Sequence, residues 1–593
     1  MRPTRTGVTV TIFWLAALTQ TAAAVEAPVA EAVMRHDHEA VHALLDAGAD
    51  ANAALGDGMT GLHWAALHGD VDITRLLLDA GARIETTTRL GSHTPLHVAS
   101  RSARAKVART LLEAGANPLA VTATGATPLH FAAQAGHPST IKTLLEHGAG
   151  PDPREPVWGQ TPLMFAAAAA RVEAVKALLN GGADPSLTAT VIDITARNEA
   201  DQVDSRRRQT RSTRRPNDRL RAGQRTPRGR PNRSAPRRIR QNPSSVPDSN
   251  PVRTTVAAER DLQEEPEPLG FADLVGSHGG LTALLLAARD GHTDTALTMI
   301  AAGADINRVS ASDGTSPLLI ATINGHFDLA MQLIILGADP TLASQAGATP
   351  LYGALNMQWA PKARHPQPTD YQQQKVSYLE LMTALLEAGA DVNSRLTKSL
   401  WYTTYNRDLL GVDRTGATVF WRAAYALDVP AMRLLLAYGA NPNLPTLRVP
   451  SRRRPASPDP SGLPPTPLGG PAVSPLLAAS GVGYGQGFAG NSHRHVEYGW
   501  LPTVRFLVEE LGANVHDRDH DGYNAIHHAA ARGDNQLIMY LADQGVDVSQ
   551  VSRQGQTTAD MANGPVQRTQ PFPDTVALLE RLGAENSHRC LSC

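Results

Sequence analysis

The chain has 593 residues, a formal net charge of −1, 19% charged residues and 5% aromatic ones. So neutral a balance excludes a whole-protein pull toward nucleic acid or anionic lipid, and the length allows several domains or one long array. Two cysteines, Cys590 and Cys593, stand in the last four residues; a bridge there holds no fold of this length together, so packing has to.

The first stretch, MRPTRTGVTVTIFWLAALTQTAAAVEA, sets Arg2 and Arg5 ahead of an apolar run from Val8 to Leu18 and the small residues Ala22, Ala23 and Ala24. That is the order of a secretory signal, and the apolar core is short for a membrane span. Residues 1–24 are expected to be a signal peptide cleaved after Ala24, and the mature chain to be exported, periplasmic or secreted. No later stretch is apolar for long enough to predict a transmembrane segment.

From Pro28 on, one phrase recurs. Its Thr-Pro position, or the equivalent, falls at Gly61, Pro95, Pro128 and Pro162, then at Ala283, Pro317, Pro350, Val419, Pro475, Ala525 and Thr558. Where nothing intervenes the spacing is 33 or 34 residues. In the copy GATPLHFAAQAGHPSTIKTLLEHGAG, Thr127 suits a helix cap and Pro128 a first turn, where a missing N–H costs nothing. Leu129, Ala132 and Ala133 predict a short helix with a small-residue face. Ile141, Leu144 and Leu145 give the next helix one apolar stripe, and Gly148 supplies the left-handed residue that stops it. Helices this short cannot bury a core alone; stacked on neighbours they can.

The phrase resembles the ankyrin repeat, with T-P-L-H at Thr94–His97 and Thr127–His130 and LL…GAD at the family's offsets. About twelve units cover most of the mature chain. The resemblance implies an all-α solenoid of helix-turn-helix units and says little about the partner. Two arrays are expected, 28–194 with about five repeats and 276–588 with about seven. Pro28–Ala54 reads as the N-terminal cap and Gln556–Glu585 as the C-terminal one.

Between the arrays, residues 195–275 read as a basic disordered linker. From Arg197 to Arg253 there are 17 arginines against five acids, with almost no apolar periodicity. A nucleic-acid arm is the sharper reading; the absence of interleaved aromatics and the expected export favour a solvated linker. The second array carries insertions at about 357–376, 395–413, 445–470 and 480–500. Nine of the eleven tyrosines lie between Tyr352 and Tyr498, and four of the seven tryptophans share that region. Long loops on a rigid scaffold are where function concentrates, so Trp359, Trp401, Tyr402, Tyr405, Trp421, Tyr484, Phe488 and Trp500 are the partner-contact candidates. The alternative is that these rings pack the insertions onto the solenoid.

No catalytic, cofactor or metal set is legible. Gly485–Gly490 fits G-x-G-x-x-G but follows a short helix, not the strand a phosphate cradle requires. Asp517, Asp519, Asp521 and Gly522 open like a calcium loop, but His528 stands where its glutamate belongs. His493, His495, His516, His520, His527 and His528 are dense enough to raise zinc, yet His527 occupies the T-P-L-H histidine position. Cys590-Leu-Ser-Cys593 is read first as a disulfide, and otherwise as free thiols, a metal site or, with no histidine following, a poor haem motif. The expectation is a non-catalytic exported scaffold that binds a protein or peptide, with no cofactor. The alternatives are an envelope accessory protein working through the Cys-x-x-Cys tail (589–593) and an enzyme sited in the insertions of the second array.

Overall fold

The computed structural model describes residues 27–222, 265–361, 369–403, 409–451, 458–487, 490–564 and 570–587. The N-terminal stretch read as a signal peptide, Tyr405, Phe488, Cys590 and Cys593 lie outside them. Among the described residues the architecture is helical, with strand confined to two three-residue segments.

Five helix pairs come first: α1 (Pro28–Met34) and α2 (His38–Asp46), α3 (Gly61–His68) and α4 (Val71–Asp79), α5 (Pro95–Arg101) and α6 (Ala105–Glu113), α7 (Pro128–Ala135) and α8 (Pro138–Glu146), α9 (Pro162–Ala168) and α10 (Val172–Asn180). Then come β1 (Val191–Asp193), the long α11 (Ile194–Ala222), α12 (Phe271–Val275) and β2 (Ser277–Gly279). The pairs resume with α13 (Ala283–Arg289) and α14 (Thr293–Ala301), α15 (Pro317–Ile323) and α16 (Phe327–Ile335), α17 (Pro350–Gln358) and α18 (Tyr378–Glu387), and α19 (Val419–Tyr425) and α20 (Val429–Ala437). The last are α21 (Pro475–Ala479) and α22 (Trp500–Arg505), α23 (Ala525–Ala530) and α24 (Asn535–Asp543), and α25 (Thr558–Ala562) and α26 (Pro573–Arg581).

Each pair is written locally. Thr94 sits extended ahead of α5, Pro95 takes its first position, and Thr94 Oγ1 accepts from the His97 N–H. His97 answers with both ring nitrogens: Nδ1 lies 2.8 Å from Thr94 Oγ1, and Nε2 lies 3.2 Å from the Ala126 carbonyl of the next repeat. His63, His130 and His527 repeat the arrangement. Where an aspartate precedes it, the second helix of a pair opens on a side-chain cap, as where Asp70 Oδ1 accepts from Ile73 N at 2.9 Å; it closes on a left-handed glycine such as Gly148, φ +90°. Leu129, Ala132, Ala133, Ile141 and Leu144 are wholly buried. Fully burying one such leucine or isoleucine stabilises by about 1.5–3 kcal/mol, which the unstacked pair cannot gain.

The chain divides into two compact units. The first holds residues up to Val191 together with Gly279–Leu342 and Thr369–Ser377; the second holds Ile192–His278, Ala343–Pro368 and Tyr378–Cys593. Within the first, α13 packs on α9 and α14 on α10. His292 Nε2 also reaches the Ala168 carbonyl at 3.1 Å. The sequence reading places an array boundary at 195–275, whereas this stack runs on across it. Chain separation is not spatial separation: Gly280 N donates to Thr190 O at 3.1 Å and Ala189 N to Leu281 O at 2.9 Å. The linker reading needs a second correction, since its first part is the helix α11. Alanine, glutamate, glutamine and arginine are strong helix formers, and Arg207 sits one turn from Asp204, 3.6 Å away.

Two of the insertions are anchored by hydrogen bonds, one to the preceding repeat and one at its own neck. In the first unit, Asp328 near the start of α16 accepts from Lys375 N and Val376 N (3.0 and 2.9 Å), and Gln374 Oε1 accepts from Asp328 N. In the second, Thr446 and Arg448 pair by backbone hydrogen bonds with Val473 and Gly470, so the ends of the 445–470 insertion form a hairpin neck.

Candidate functional site

The aromatic candidates of the second unit lie at the seams between insertions and repeats. Trp421 is wholly buried in α19, and its Nε1 donates to Val473 O at 2.9 Å, fixing the hairpin's return. It was expected among the contact residues; a ring with no exposure cannot touch a partner, and this corrects that expectation. Tyr425 stacks on Trp421, centroids 5.4 Å apart, and on His493, 4.3 Å apart. Trp359 is half-buried and donates from Nε1 to Asp428 Oδ2 at 2.8 Å. The same oxygen accepts from Tyr378 OH at 2.8 Å. Burial, with Asp428 beside it, pushes the Tyr378 phenol well up. Arg422 joins this layer, donating to Asn356 Oδ1 at 3.0 Å and to the Trp359 carbonyl. Trp500 lies under the Arg532 guanidinium, 3.5 Å from its centroid, with Tyr484 edge-on at 5.7 Å. Trp401 and Tyr402 are half-buried and edge-on to each other at 5.8 Å.

The glycine run Gly483–Gly487 has a steric reason. A Cβ on Gly487 would stand 2.4 Å from Leu410 Cα, and one on Gly485 2.0 Å from Met561 Cε. The run is bare because it is pressed between the 410–412 turn and α25.

Three insertions meet around a cleft of about 490 Å³. Val412 and Asp413 come from one, Leu447 and Val449 from the next, and Val482, Gly483 and Gln486 from the third. Pro268, Leu269, His520 and Asp521 complete its walls. Behind them Asp519 is buried: Oδ1 accepts from Asp521 N at 3.0 Å and Tyr523 N at 2.9 Å, and Oδ2 lies 3.2 Å from His528 Nε2. Burial alone would raise the Asp519 carboxyl; the hydrogen bond and charge of His528, helped by the Tyr523 N–H, outweigh it and hold the group below the usual carboxylate range. These acceptors close the turn itself, which accounts for the D-x-D-G spacing. His527 is also inside, and burial pushes its ring down to about 3.

Exposed apolar side chains occur in both units, Tyr498 and Leu269 in the second among them, and a group of them lies on the turns that join repeats of the first unit. Leu90 is 82% exposed, Val121 58% and Trp158 51%, with Leu119 and Val157 beside them. Consecutive turns are tied by backbone bonds: Arg89 N to Asp57 O at 2.9 Å, Ala123 N to Gly91 O at 3.0 Å and Thr190 N to Trp158 O at 2.7 Å. The Trp158 turn is wound on the buried Glu155, whose carboxylate accepts from Val157 N (2.7 Å), Trp158 N (2.9 Å) and Gln160 N (2.9 Å). Sequence reasoning passes over Trp158 because it stands apart from the aromatic-rich stretch. The signal that marks it is its place in the turn, three residues before Thr161, where nothing packs over a side chain.

Comparison with known proteins agrees with the stacked pairs. A family model described as ankyrin repeats, three copies, matches residues 29–122, 118–189 and 264–356, and one described as ankyrin repeats, many copies, matches 492–538. Tyrosine-protein kinase Shark of Drosophila melanogaster is 40% identical over 87 residues, 14% of this chain and 9% of the kinase. Palmitoyltransferase Hip14 of the same species is 34% identical over 87 residues, 15% of this chain and 14% of the relative. Protein PhlB of Serratia liquefaciens is 42% identical over 86 residues, 14% of this chain and 38% of PhlB. The chain thus spans well under two thirds of each of these relatives. With the repeat phrase, the stacked helix pairs and the family matches in agreement, this chain belongs to the ankyrin-repeat proteins.

Proposed function

We propose that this protein is a non-catalytic scaffold, working in the periplasm or as a secreted protein, that holds a protein partner on the turns of its first unit. The observation that carries the reading is the set Leu90, Val121 and Trp158: large apolar side chains left in solvent on turns tied to a neighbouring turn by backbone bonds, the Leu90 turn to the Val121 turn and the Trp158 turn to Thr190. A preformed surface of this kind costs little ordering on binding, and aromatic anchors supply most of the affinity where they occur. The segments shared with the kinase and the palmitoyltransferase are 87 residues each, short enough to be repeats alone, and they lend this chain no catalytic activity. Export rests on the basic, apolar, small-residue order of residues 1–24.

The test is recovery of partners from an envelope fraction with the full chain and with a Leu90→Asp, Val121→Asp, Trp158→Asp variant. At unchanged thermal unfolding, the variant is expected to lose at least one species the wild type retains. Identical recovery would move the surface elsewhere. Fractionating cells that make the chain with and without residues 1–24 tests export, with cytoplasmic retention of both forms as the contrary result.

A further inference from the structure

Segment 490–499 of the second unit is held on its repeats by a buried ring whose surroundings disfavour a second proton. His493 is buried, stacked on Tyr425 at 4.3 Å, with Trp500 at 5.9 Å and His495 at 4.9 Å. Its Nδ1 lies 3.3 Å from Tyr484 OH and Nε2 is buried without a well-aligned hydrogen bond; the Tyr425 backbone is the one neighbour that favours the protonated ring, and desolvation with the surrounding cations outweighs it. A neutral imidazole carries one N–H, which this surrounding tolerates; an imidazolium carries two. The charged groups that face the ring are cationic among the described residues. Arg422, on the helix beneath, and Arg414, on the turn before it, lie 5.8 and 5.9 Å from the Tyr425 ring, and Arg532 lies across Trp500. His495, in the same segment, has Arg532 on one side and Glu497 on the other. The buried carboxylate of the neighbouring layer, Asp428, already accepts from Trp359, Tyr378 and the Ala431 N–H. Besides the rings, Val496 N donates to Ala426 O at 3.0 Å.

We propose that segment 490–499 is an acid-released latch, held on α19 by neutral His493 and freed when that ring takes up a proton. Docked, the ring resists protonation because it is desolvated and because His495, Arg422 and Arg414 crowd it with like charge. Undocked, it titrates at the ordinary histidine value of 6.5. The proton binds the released form, so lowering the pH favours release: about tenfold at pH 5.5 and about a hundredfold at pH 4.5 for one ring. The adjoining residues Val482, Gly483 and Gln486 line the cleft, so release loosens one of its walls.

Hydrogen exchange of the full chain tests this, read as protection corrected for the intrinsic pH dependence of exchange. In the wild type, protection of the Val496 amide is expected to fall about tenfold between pH 7.5 and 5.5, while helix α18, whose pair carries no T-P-L-H histidine, keeps its own. His493→Phe retains a ring against Tyr425 without the titration, and Val496 protection in it is expected to stay level over the same range. The wild type alone suffices if that variant does not fold. Level protection in the wild type, parallel loss in α18, or the full wild-type slope persisting in His493→Phe would each overturn the latch.

Discussion

Arg104 lies across Gly69 of the preceding repeat, and its Nε donates to the Leu67 carbonyl at 3.0 Å. A Cβ on Gly69 would come within 2.5 Å of the Arg104 Cδ. The same relationship joins Arg171 to Gly136 and the Gln134 carbonyl, and His326 to Gly291 and the Arg289 carbonyl. A glycine at the end of one helix makes room for the side chain that satisfies that helix's last carbonyls from the next repeat. Gly69 is left-handed, φ +82°, so Gly69→Ala carries backbone strain and displaces Arg104. It is expected to cost about 2 kcal/mol, against about 1 kcal/mol for Arg104→Ala. Urea unfolding of both variants and of the double variant checks this: if the arginine bond is what alanine breaks, the two losses will not add.

The T-P-L-H histidines make the array weaker in acid. Burial holds the His97 ring down to about 4 and lowers His63 and His130 too, despite the carbonyl each one meets. These groups are neutral when folded and take up a proton near 6.5 when unfolded. Their stabilisation is therefore complete above pH 6.5 and is lost as the pH falls toward 4. Unfolding midpoints in urea are expected to drop steadily from pH 7 to 4.5, and His97→Gln to flatten that slope while lowering stability at pH 7. A midpoint independent of pH in the wild type would contradict the assignment.

Asp519 and His528 stand or fall as a pair. Asp519→Ala removes the acceptor for two backbone N–H groups and for the buried imidazole, and is expected to cost about 3–5 kcal/mol. Asp519→Asn keeps a carbonyl oxygen for the turn and should cost clearly less. Because the carboxyl is held below its ordinary value, its contribution is present at neutral pH and lost as the pH falls through the carboxylate range. Chemical denaturation of the two variants at pH 7 reads the difference.

Trp421 and Trp158 should separate stability from recognition. Trp421→Ala opens a cavity in the second unit and frees the Val473 carbonyl, an expected loss of about 3–5 kcal/mol. Trp158→Ala removes a half-exposed ring and should change stability by under about 0.5 kcal/mol. Melting temperatures compare the two; a large loss at Trp158 would mean that its ring is packed.

The helix pairs were legible because their causes are local. Thr127, Pro128, Gly136 and Gly148 each act within a few residues, and the stripe Ile141, Leu144 and Leu145 repeats with the helix period. The continuation from α9 to α13 was not legible, since sequence distance says nothing about where a chain returns. The aromatic-rich insertions were visible as composition alone. Whether Trp421 faces solvent or Val473 depends on how a hairpin folds back over α19, and no periodicity encodes that. Trp158, a single ring in a short turn, carried no compositional signal.

The junction at Thr190 and Gly280 changes how the first unit should be thought of as a piece of chain. Since those two backbones already touch, a two- or three-residue bridge could replace everything between them with little new loop to close. The first-unit stack is therefore a receptacle for grafts: material added at that point alters what the molecule carries without altering the repeats on either side of the junction.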